Sequence, residues 1–441
     1  MTDQRQGHLL RVLGLAFGLA LGLGGMIGGG ILRTPGEVFA HVPSPWLVLG
    51  LWAAAALHSA LTGNIVAEVM TAVPRSGGLF NVAERAFGAF GAVLVGWTDW
   101  LLNVAALAAL SIALAEFLAL ALPGAAPYST PVAVAACLAF TAINWIGVRE
   151  GSRTQIVTSA AKAAMLVGIV ILVFLLSPGA GAAAARPSGA IGFAAAIVAY
   201  QLIIGAYNGW SYTGYFAEED RAPERNIPRS LFGSIAAVAA IYLVMNAALI
   251  YALPVDRLSG ADLPLALAAE GIFGPAAIAA VAIVAVVTVI GTINASLMIA
   301  TRILHGLGRD LFLPAMTAHV NRGGTPDVAL LLSAALAVVL ILTGTFETVF
   351  LFLGALALFI YALIDIAFFV LRWREPELPR PYRARLYPLL PALALLLDLG
   401  VLVAVFVGDP GQALYMAIAV AVCVPLTMIA RQARRAQRGN A

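Results

Sequence analysis

Long apolar segments separated by short polar loops dominate the chain. A helix needs about 20 apolar residues to cross a membrane, and most of the segments approach or exceed that length. In the first half of the chain they cover 13–39, 46–69, 90–122, 131–148, 156–176 and 191–216. In the second half they cover 231–253, 275–304, 328–342, 348–371, 386–407 and 413–430. The pattern predicts an all-α polytopic membrane protein with twelve spans.

Composition narrows the class further. The 441 residues are 62% hydrophobic and 11% charged, whereas a soluble domain carries about 25% charged residues. A water-soluble protein this apolar would have no means of covering its surface. An ordinary cytosolic enzyme, a disordered chain and a secreted disulfide scaffold are therefore excluded. The two cysteines, Cys137 and Cys423, both lie within apolar runs, so they provide no disulfide framework.

The distribution of arginine predicts the orientation in the membrane. Arginines concentrate in both terminal segments and in the loops that follow the second, fourth, sixth, eighth and tenth segments. The opposite loops contain only Arg186 and Arg257. By the positive-inside rule both termini are cytoplasmic. We expect one transmembrane domain over 1–430, a basic cytoplasmic tail over 431–441, and insertion in the cytoplasmic membrane without a cleaved signal peptide.

Glycine interrupts two of these segments at matching places in the two halves of the chain. The first segment has five glycines within 24–30, and the sixth reads GAYNGW over 205–210. Each glycine costs about 1 kcal/mol in a helix interior, and unwound backbone at membrane depth persists only where it lines a cavity or is buried in protein. Paired interruptions of this kind indicate the substrate site of a transporter. The alternative is that the glycines only allow close helix crossings.

Broken helices suit a zwitterionic ligand. The second half of a broken helix begins with unpaired N–H groups and the positive end of the helix dipole, which favour a carboxylate. The first half ends with unpaired carbonyls, which favour an ammonium group. An α-amino acid therefore needs no charged side chain to be held.

Motifs of other functional classes are missing from the sequence. It contains no Walker A, HExxH or GxSxG motif and no zinc-ligand spacing. We therefore expect no catalytic residue, no cofactor and no metal site, and so no enzyme. The expected partners are an amino acid substrate and the lipid bilayer, with no nucleic acid.

Several blocks of the chain match a known family. The most specific is the Gly209-Trp210 pair followed by EE at 218–219 and PERNIPR at 223–229. The other blocks are MIGGGIL at 26–32, the stretch from Glu68 through PRSGG to 88, Asn294 through GTP at 324–326, and LR through EPELPRPY at 371–382. Together they resemble the amino acid–polyamine–organocation superfamily, and within it the L-type amino acid transporter branch.

The resemblance implies a fold and a site. The implied fold is a LeuT-type five-plus-five inverted repeat, with repeats over about 11–177 and 191–371 and appended helices over about 386–430. The implied activity is amino acid transport by alternating access, often as exchange. The implied substrate-binding residues lie in the broken first and sixth helices and are Ile27, Gly28, Gly29, Gly30, Gly205, Ala206, Tyr207 and Asn208.

Three departures from the family pattern bear on function. Gly29 takes the position of a serine in the helix-one signature, and Gly205 stands where the family often has a gating phenylalanine. The loop over 122–130 lacks the cysteine that ties eukaryotic members to a single-span glycoprotein. We therefore expect no disulfide-linked heavy chain.

Charged residues inside a span are functional candidates by default. Lys162 is the only lysine in the chain and falls within the fifth span. The resemblance implies that a lysine there replaces the sodium ion of sodium-coupled relatives, with Asn294 and Ser296 of the eighth span as candidate partners. The alternative is that Lys162 extends toward the cytoplasmic surface.

The other intramembrane charges are interpreted as structural, and a proton-relay role for any one of the acidic residues is the alternative. Arg33 and Glu37 have the spacing of a local i, i+4 ion pair. The alternative is that Arg33 makes the vestibule favour substrates with acidic side chains. The remaining acidic residues are placed near span ends or single turns inside, and they are Asp99, Glu116, Asp365 and Asp398. His58 in the second span is interpreted as a hydrogen-bonded core residue rather than a proton relay.

The sequence thus predicts a secondary amino acid transporter, most simply a sodium-independent exchanger. A proton-coupled symporter is the nearest alternative. A polyamine or amine exchanger would need acidic groups, and neither broken segment contains Asp or Glu. A membrane sensor that binds an amino acid without transporting it is the alternative of another class.

Overall fold

The computed structural model describes residues 13–75, 77–146, 151–179, 191–321 and 324–439. For residues 151–155, 218–219, 430–431 and 433–439 the description covers the backbone alone. The predicted N-terminal tail therefore lies outside the described residues, as do the side chains of almost all of the basic C-terminal tail.

The first half of the chain folds into the predicted spans. Its helices are α1 (Leu15–Met26), α2 (Gly29–His41), α3 (Pro45–Ala72), α4 (Phe80–Ala121), α5 (Ser129–Ile146), α6 (Gly151–Leu176) and α7 (Phe193–Tyr207), which continues after a break into a 3-10 segment (Trp210–Glu219). Within α4 the backbone is non-helical at Gly88, with φ of 71°. The third span therefore begins after Gly88, as the sequence predicts.

The second half is helical too, and it contains two helices that the sequence did not predict. Its helices are α8 (Pro223–Ala252), α9 (Val255–Leu258), α10 (Pro264–Phe273), α11 (Ala276–Arg309), α12 (Asp327–Thr343), α13 (Phe346–Arg374), α14 (Leu389–Gly408) and α15 (Pro410–Gly439). The unpredicted helices are α9 and α10, which lie in a loop too short and too polar to read as a span. Helix α15 continues through most of the predicted tail.

Ten helices of the described chain are long and apolar enough to cross a membrane, and the bent pair formed by α7 and the 3-10 segment makes eleven. Helix α12 has 17 residues, which is the lower limit for a span. The described residues form no strand beyond one isolated bridge between Leu13 and Asp220. The predicted all-α membrane fold is confirmed.

The core forms around α4, which packs along both α11 and α13. Small residues bring other helices close together. A Cβ at Gly18 of α1 would lie 2.8 Å from the Ser230 side chain of α8, and one at Gly22 would lie 2.5 Å from Ser234. This is the small-residue packing that replaces the hydrophobic driving force between helices in lipid. It fixes α1, and therefore the break that follows it, against α8.

Candidate functional site

The first span is broken between α1 and α2. Ile27 leaves the helical conformation with ψ of 96°, and Gly28 is fully extended with φ of −153° and ψ of −153°. Helix α2 then starts at Gly29, and no side chain caps it. The first N–H groups of α2 therefore have no partner within the helix, at the depth where α1 ends.

The sixth span is broken between Tyr207 and Trp210. Asn208 is extended with ψ of 142°, Gly209 has φ of 120°, and the two halves are bent by 41°. Only glycine adopts such a positive φ without strain. A Cβ at Gly209 would also lie 2.8 Å from the carbonyl carbon of Gly25. The two breaks are thus in direct backbone contact, which explains why glycines occur at both.

A cavity of about 30 Å³ lies between the two breaks. Of the predicted residues, those that line it are Gly28, Gly30, Gly205, Ala206, Asn208 and Ser296. The lining residues that sequence reasoning missed are Gly25, Met26, Ala106, Leu110, Tyr212, Thr292, Phe350 and Leu353. None of the lining side chains is charged, so backbone groups, hydroxyls and the Asn208 amide provide the polarity of the cavity.

Three predicted residues point elsewhere. Ile27 lines a second cavity, of about 10 Å³, together with Lys162. Gly29 faces α4, where an added Cβ would lie 2.9 Å from Leu110. Tyr207 packs its ring against α3 and donates its hydroxyl to the Trp52 carbonyl at 3.3 Å. These three residues pack the helix breaks against neighbouring helices, and they do not line the 30 Å³ cavity.

Tyr242 of α8 links the two broken helices. Its hydroxyl lies 2.7 Å from the Met26 carbonyl and 3.1 Å from the Ala206 carbonyl, so it donates to one of them at a time. These carbonyls end α1 and α7, where the sequence predicts free acceptors for an ammonium group. Tyr242 therefore satisfies part of that capacity, and nothing in its sequence context marks it for this role.

An aromatic ring from α13 covers the side of the cavity at Gly205. A Cβ at Gly205 would lie 3.0 Å from Cε1 of Phe350, and one at Gly30 would lie 3.1 Å from its Cζ. Phe346 stacks on Phe350 with ring centroids 4.9 Å apart. The space that a side chain at Gly205 would occupy is thus already filled by a ring from another helix.

Lys162 is buried and reaches toward the break of the first span. Its Nζ donates to Thr292 Oγ1 of α11 at 3.0 Å. That hydroxyl lies 3.4 Å from the Gly24 carbonyl and 3.3 Å from the Ile27 carbonyl. The ammonium group therefore points toward the first break. The snorkelling alternative requires it to extend toward the start of α6, and it does not.

Thr292 takes the place of the two partners suggested from sequence. Asn294 instead accepts a hydrogen bond from Asn144 of α5 at 2.7 Å. Ser296 lies one helical turn after Thr292 and lines the 30 Å³ cavity. The eighth span therefore supplies the partner of Lys162, as predicted, but that partner is Thr292, on the turn that faces the break of the first span.

Arg33 of α2 joins three carboxylates on the side of the membrane predicted to be outside. It forms ion pairs with Glu37 at 2.7 Å, with Glu116 of α4 at 3.0 Å and with Asp262 at 2.8 Å. The local pair with Glu37 is confirmed. Because three carboxylates already neutralise its charge, Arg33 has little capacity left to favour an acidic substrate.

On the side predicted to be cytoplasmic, ion pairs join two sequence blocks that are far apart in the chain. Glu68 of α3 accepts from Arg372 at 2.8 Å and forms an ion pair with Arg380 at 3.1 Å. Arg85 donates two hydrogen bonds to Glu375, and this lowers the pKa of that carboxyl. The 68–88 and 371–382 blocks are therefore one ionic contact region.

Asp99 also has partners in the interior. It accepts a hydrogen bond from Tyr215 of the 3-10 segment and another from Asn103 on its own helix. Its position in α4 ties this central helix to the second half of the broken sixth span. We therefore interpret Asp99 as a residue that holds two helices together.

Comparison with known proteins agrees with this geometry. A family model described as amino acid permease matches residues 9–430. The b(0,+)-type amino acid transporter 1 of Mus musculus is 27% identical over 418 residues, covering 93% of this chain and 85% of that protein. The serine/threonine exchanger SteT of Bacillus subtilis (strain 168) is 28% identical over 400 residues, covering 88% and 89%.

A third relative is the Asc-type amino acid transporter 1 of Mus musculus, 27% identical over 420 residues that cover 91% of this chain and 78% of that protein. All three relatives are transporters or exchangers, not enzymes. The predicted superfamily and the predicted absence of enzymatic function are both confirmed.

Proposed function

Because this chain belongs to the amino acid permease family, we propose that it exchanges amino acids across the cytoplasmic membrane by alternating access, without sodium. The observation that carries the proposal is the cavity at the contact of the two breaks. It is faced by the start of α2, whose unpaired N–H groups suit a carboxylate. No charged side chain is among its lining residues, which favours a zwitterion over a polyamine.

The contacts of Lys162 support independence from sodium. A fixed ammonium group, held by Thr292 beside the carbonyls of the first break, places a positive charge at the junction of α6, α11 and α1. A bound cation would do the same there. The charge is part of the chain, so no dissolved sodium ion is needed to hold the junction together.

The shape of the cavity supports small neutral substrates. Its 30 Å³ is room for only two or three water molecules. The Phe350 ring narrows it from the side of α13, and Gly205 adds no bulk from the side of α7. We expect small neutral amino acids to exchange faster than large ones, with Phe350 setting the limit.

The membrane environment and partners belong to the same proposal. Both termini are placed on the cytoplasmic side, where the arginine-rich loops lie. The chain has two cysteines, and both are buried. Neither is positioned for a disulfide to a second protein, so the chain is proposed to act without a disulfide-linked heavy chain.

Counterflow in proteoliposomes tests this function. Purified protein is reconstituted with an unlabelled amino acid inside, and uptake of the labelled amino acid is followed with and without sodium. We expect transient accumulation of small neutral amino acids that is equal in both buffers. Accumulation that needs sodium would refute the sodium-independent mode. Substrate binding without any counterflow would identify a sensor instead.

The same vesicles separate exchange from proton symport. A proton-coupled symporter accumulates substrate in vesicles that contain no amino acid when a pH gradient is imposed. An obligate exchanger does not. Uptake into such vesicles that is driven by the pH gradient would favour the symport alternative.

A further inference from the structure

A group of buried titratable side chains lies outside the substrate cavity. His58 of α3 places Nε2 3.0 Å from Oδ1 of Asp398, near the middle of α14. Thr62, one turn after His58, donates its hydroxyl to Oδ2 of Asp398 at 3.2 Å. Asp398 is fully buried and His58 is 2% exposed. Asp398 thus lies deep inside its span, and the prediction that it lies near a span end or a single turn inside is wrong.

Asp398 lies beside two groups that favour a negative charge. One oxygen faces the imidazole and the other accepts from a hydroxyl. On the far side of the ring, Nδ1 of His58 lies 3.0 Å from the Tyr200 hydroxyl. When that hydroxyl donates to Nδ1, Nε2 carries the ring proton. This proton then lies close to Oδ1 of Asp398, although the N–H is not aligned for a hydrogen bond.

Asp365 of α13 is in the opposite situation. It is fully buried, and neither of its oxygens has a hydrogen-bond donor among the described residues. Helix α13 packs on α14, and the Asp365 side chain interacts with that of Asp398 across this contact. Two carboxylates can form a hydrogen bond only when one of them carries a proton, and two adjacent negative charges in a low-dielectric interior are very costly.

We propose that Asp365, Asp398 and His58 form a proton-binding site in the membrane interior. In this site Asp365 carries the proton and donates it to the Asp398 carboxylate, which His58 and Thr62 hold in place. The ligand is a single proton, which the two carboxyl groups share.

The site is in contact with the broken sixth span. A cavity of about 10 Å³ is lined by His58, Asp398, Tyr361 and Trp210, and this is about the room that one water molecule needs. Tyr361 stacks on Trp210 and donates its hydroxyl to Asn208 at 3.0 Å. Asp365 follows Tyr361 by one turn of α13. A charge change at Asp365 is therefore transmitted to the break by one tyrosine.

The groups that face the site come from each helix packed on it. They are His58 on α3, Tyr200 on α7, Tyr361 on α13 and Asp398 on α14. Within the described part of the chain, no arginine or lysine pairs with either carboxylate. Loss of the shared proton therefore leaves one extra negative charge with no cation to balance it, and the packing of α14 on α3 and α13 weakens.

The consequence for transport rests on the proposed exchange function. Since the protonated site holds α13, α14 and the sixth span together, exchange requires the proton to be bound. Exchange then falls as the pH rises through the dissociation of the shared proton. A process that needs one bound proton falls about tenfold for each pH unit beyond that point.

Infrared spectroscopy tests the proton site without reference to transport. The parent protein should show the carbonyl band of a protonated carboxylic acid. This band should be lost in Asp365→Asn, which removes the protonated group, and should shift but remain in Asp398→Asn, which removes the oxygen that accepts its hydrogen bond. The matched control is Asp409→Asn, at the junction of α14 and α15, where the carboxylate accepts from Gly411. Thermal unfolding checks that each variant is folded. A parent band that persists in Asp365→Asn would overturn the proposal.

Counterflow over a series of buffers tests the link to the sixth span. The parent and Asp409→Asn should lose exchange toward alkaline pH by the same factor. Asp365→Asn, which stays neutral and can still donate to Asp398, should lose this dependence on pH. An unchanged dependence in Asp365→Asn would overturn the link. Absence of counterflow in the parent at every pH, with the infrared band present, would refute the exchange function and leave the proton site standing.

Discussion

Removal of the hydroxyl that holds Lys162 should impair transport strongly. Thr292→Val keeps the shape of the side chain but removes the acceptor that lies 3.0 Å from Nζ. A hydrogen bond to a charged group contributes about 1.5–3 kcal/mol. If that energy holds the junction during exchange, the rate should fall about 10- to 150-fold, since each 1.4 kcal/mol is a factor of ten.

Substitution of the lysine itself should have a comparable effect. Lys162→Met retains most of the length of the side chain and removes its charge. Lys162→Arg keeps the charge but should not restore full activity, because a planar guanidinium is larger and directs its donors differently. The site is tight, since a Cβ at Gly291 would already lie 2.9 Å from Nζ.

The assay is exchange of a labelled amino acid in proteoliposomes with matched amounts of inserted protein. Thr288→Val is the matched control, because Thr288 lies one turn before Thr292 and lines the same 10 Å³ cavity as Lys162. Its hydroxyl donates to the Val284 carbonyl of its own helix, at 2.8 Å. This control should stay near the parent rate. If Lys162 and Thr292 act as a unit, the double variant Lys162→Met, Thr292→Val should be little worse than either single variant. Parent-like exchange in Thr292→Val and Lys162→Met would refute the reasoning.

Three further predictions concern the site and the topology. Gly30→Leu should abolish substrate binding while membrane insertion stays normal, because even a Cβ there would lie 3.1 Å from the Phe350 ring. Near-normal substrate binding in a thermal-shift titration would show that the site does not lie at the first break. Phe350→Ala should shift substrate preference toward large amino acids by about 10- to 200-fold in competition assays, since a steric conflict in a pocket is worth about 1–3 kcal/mol. Adding Gly205→Phe should reverse this shift. An equal loss for all substrates would mean that the ring is structural. An introduced cysteine at exposed Ser259 should react with an impermeant reagent in intact cells and one at exposed Glu377 should not; equal reaction would overturn the predicted orientation.

Local properties of the sequence determined the class of the protein and the location of its two breaks. An apolar run of about 20 residues partitions into a membrane wherever it occurs in the chain. Glycines destabilise the helix that contains them, so the interruptions at 24–30 and 205–210 were visible without a structure. The loop helix α10 was missed because its ten residues are too few to register as a span.

Only the tertiary structure decided which side chains meet. Phe350 and Gly205 are far apart in the chain, as are Lys162 and Thr292, and helical periodicity does not reveal which face of an apolar helix turns inward when every face is apolar. The choice of Thr292 over Asn294 depends on the rotation of α11, which its packing on α4 fixes. For the same reason the sequence showed Asp365 and Asp398 as separate charges, and the packing of α13 on α14 made them neighbours.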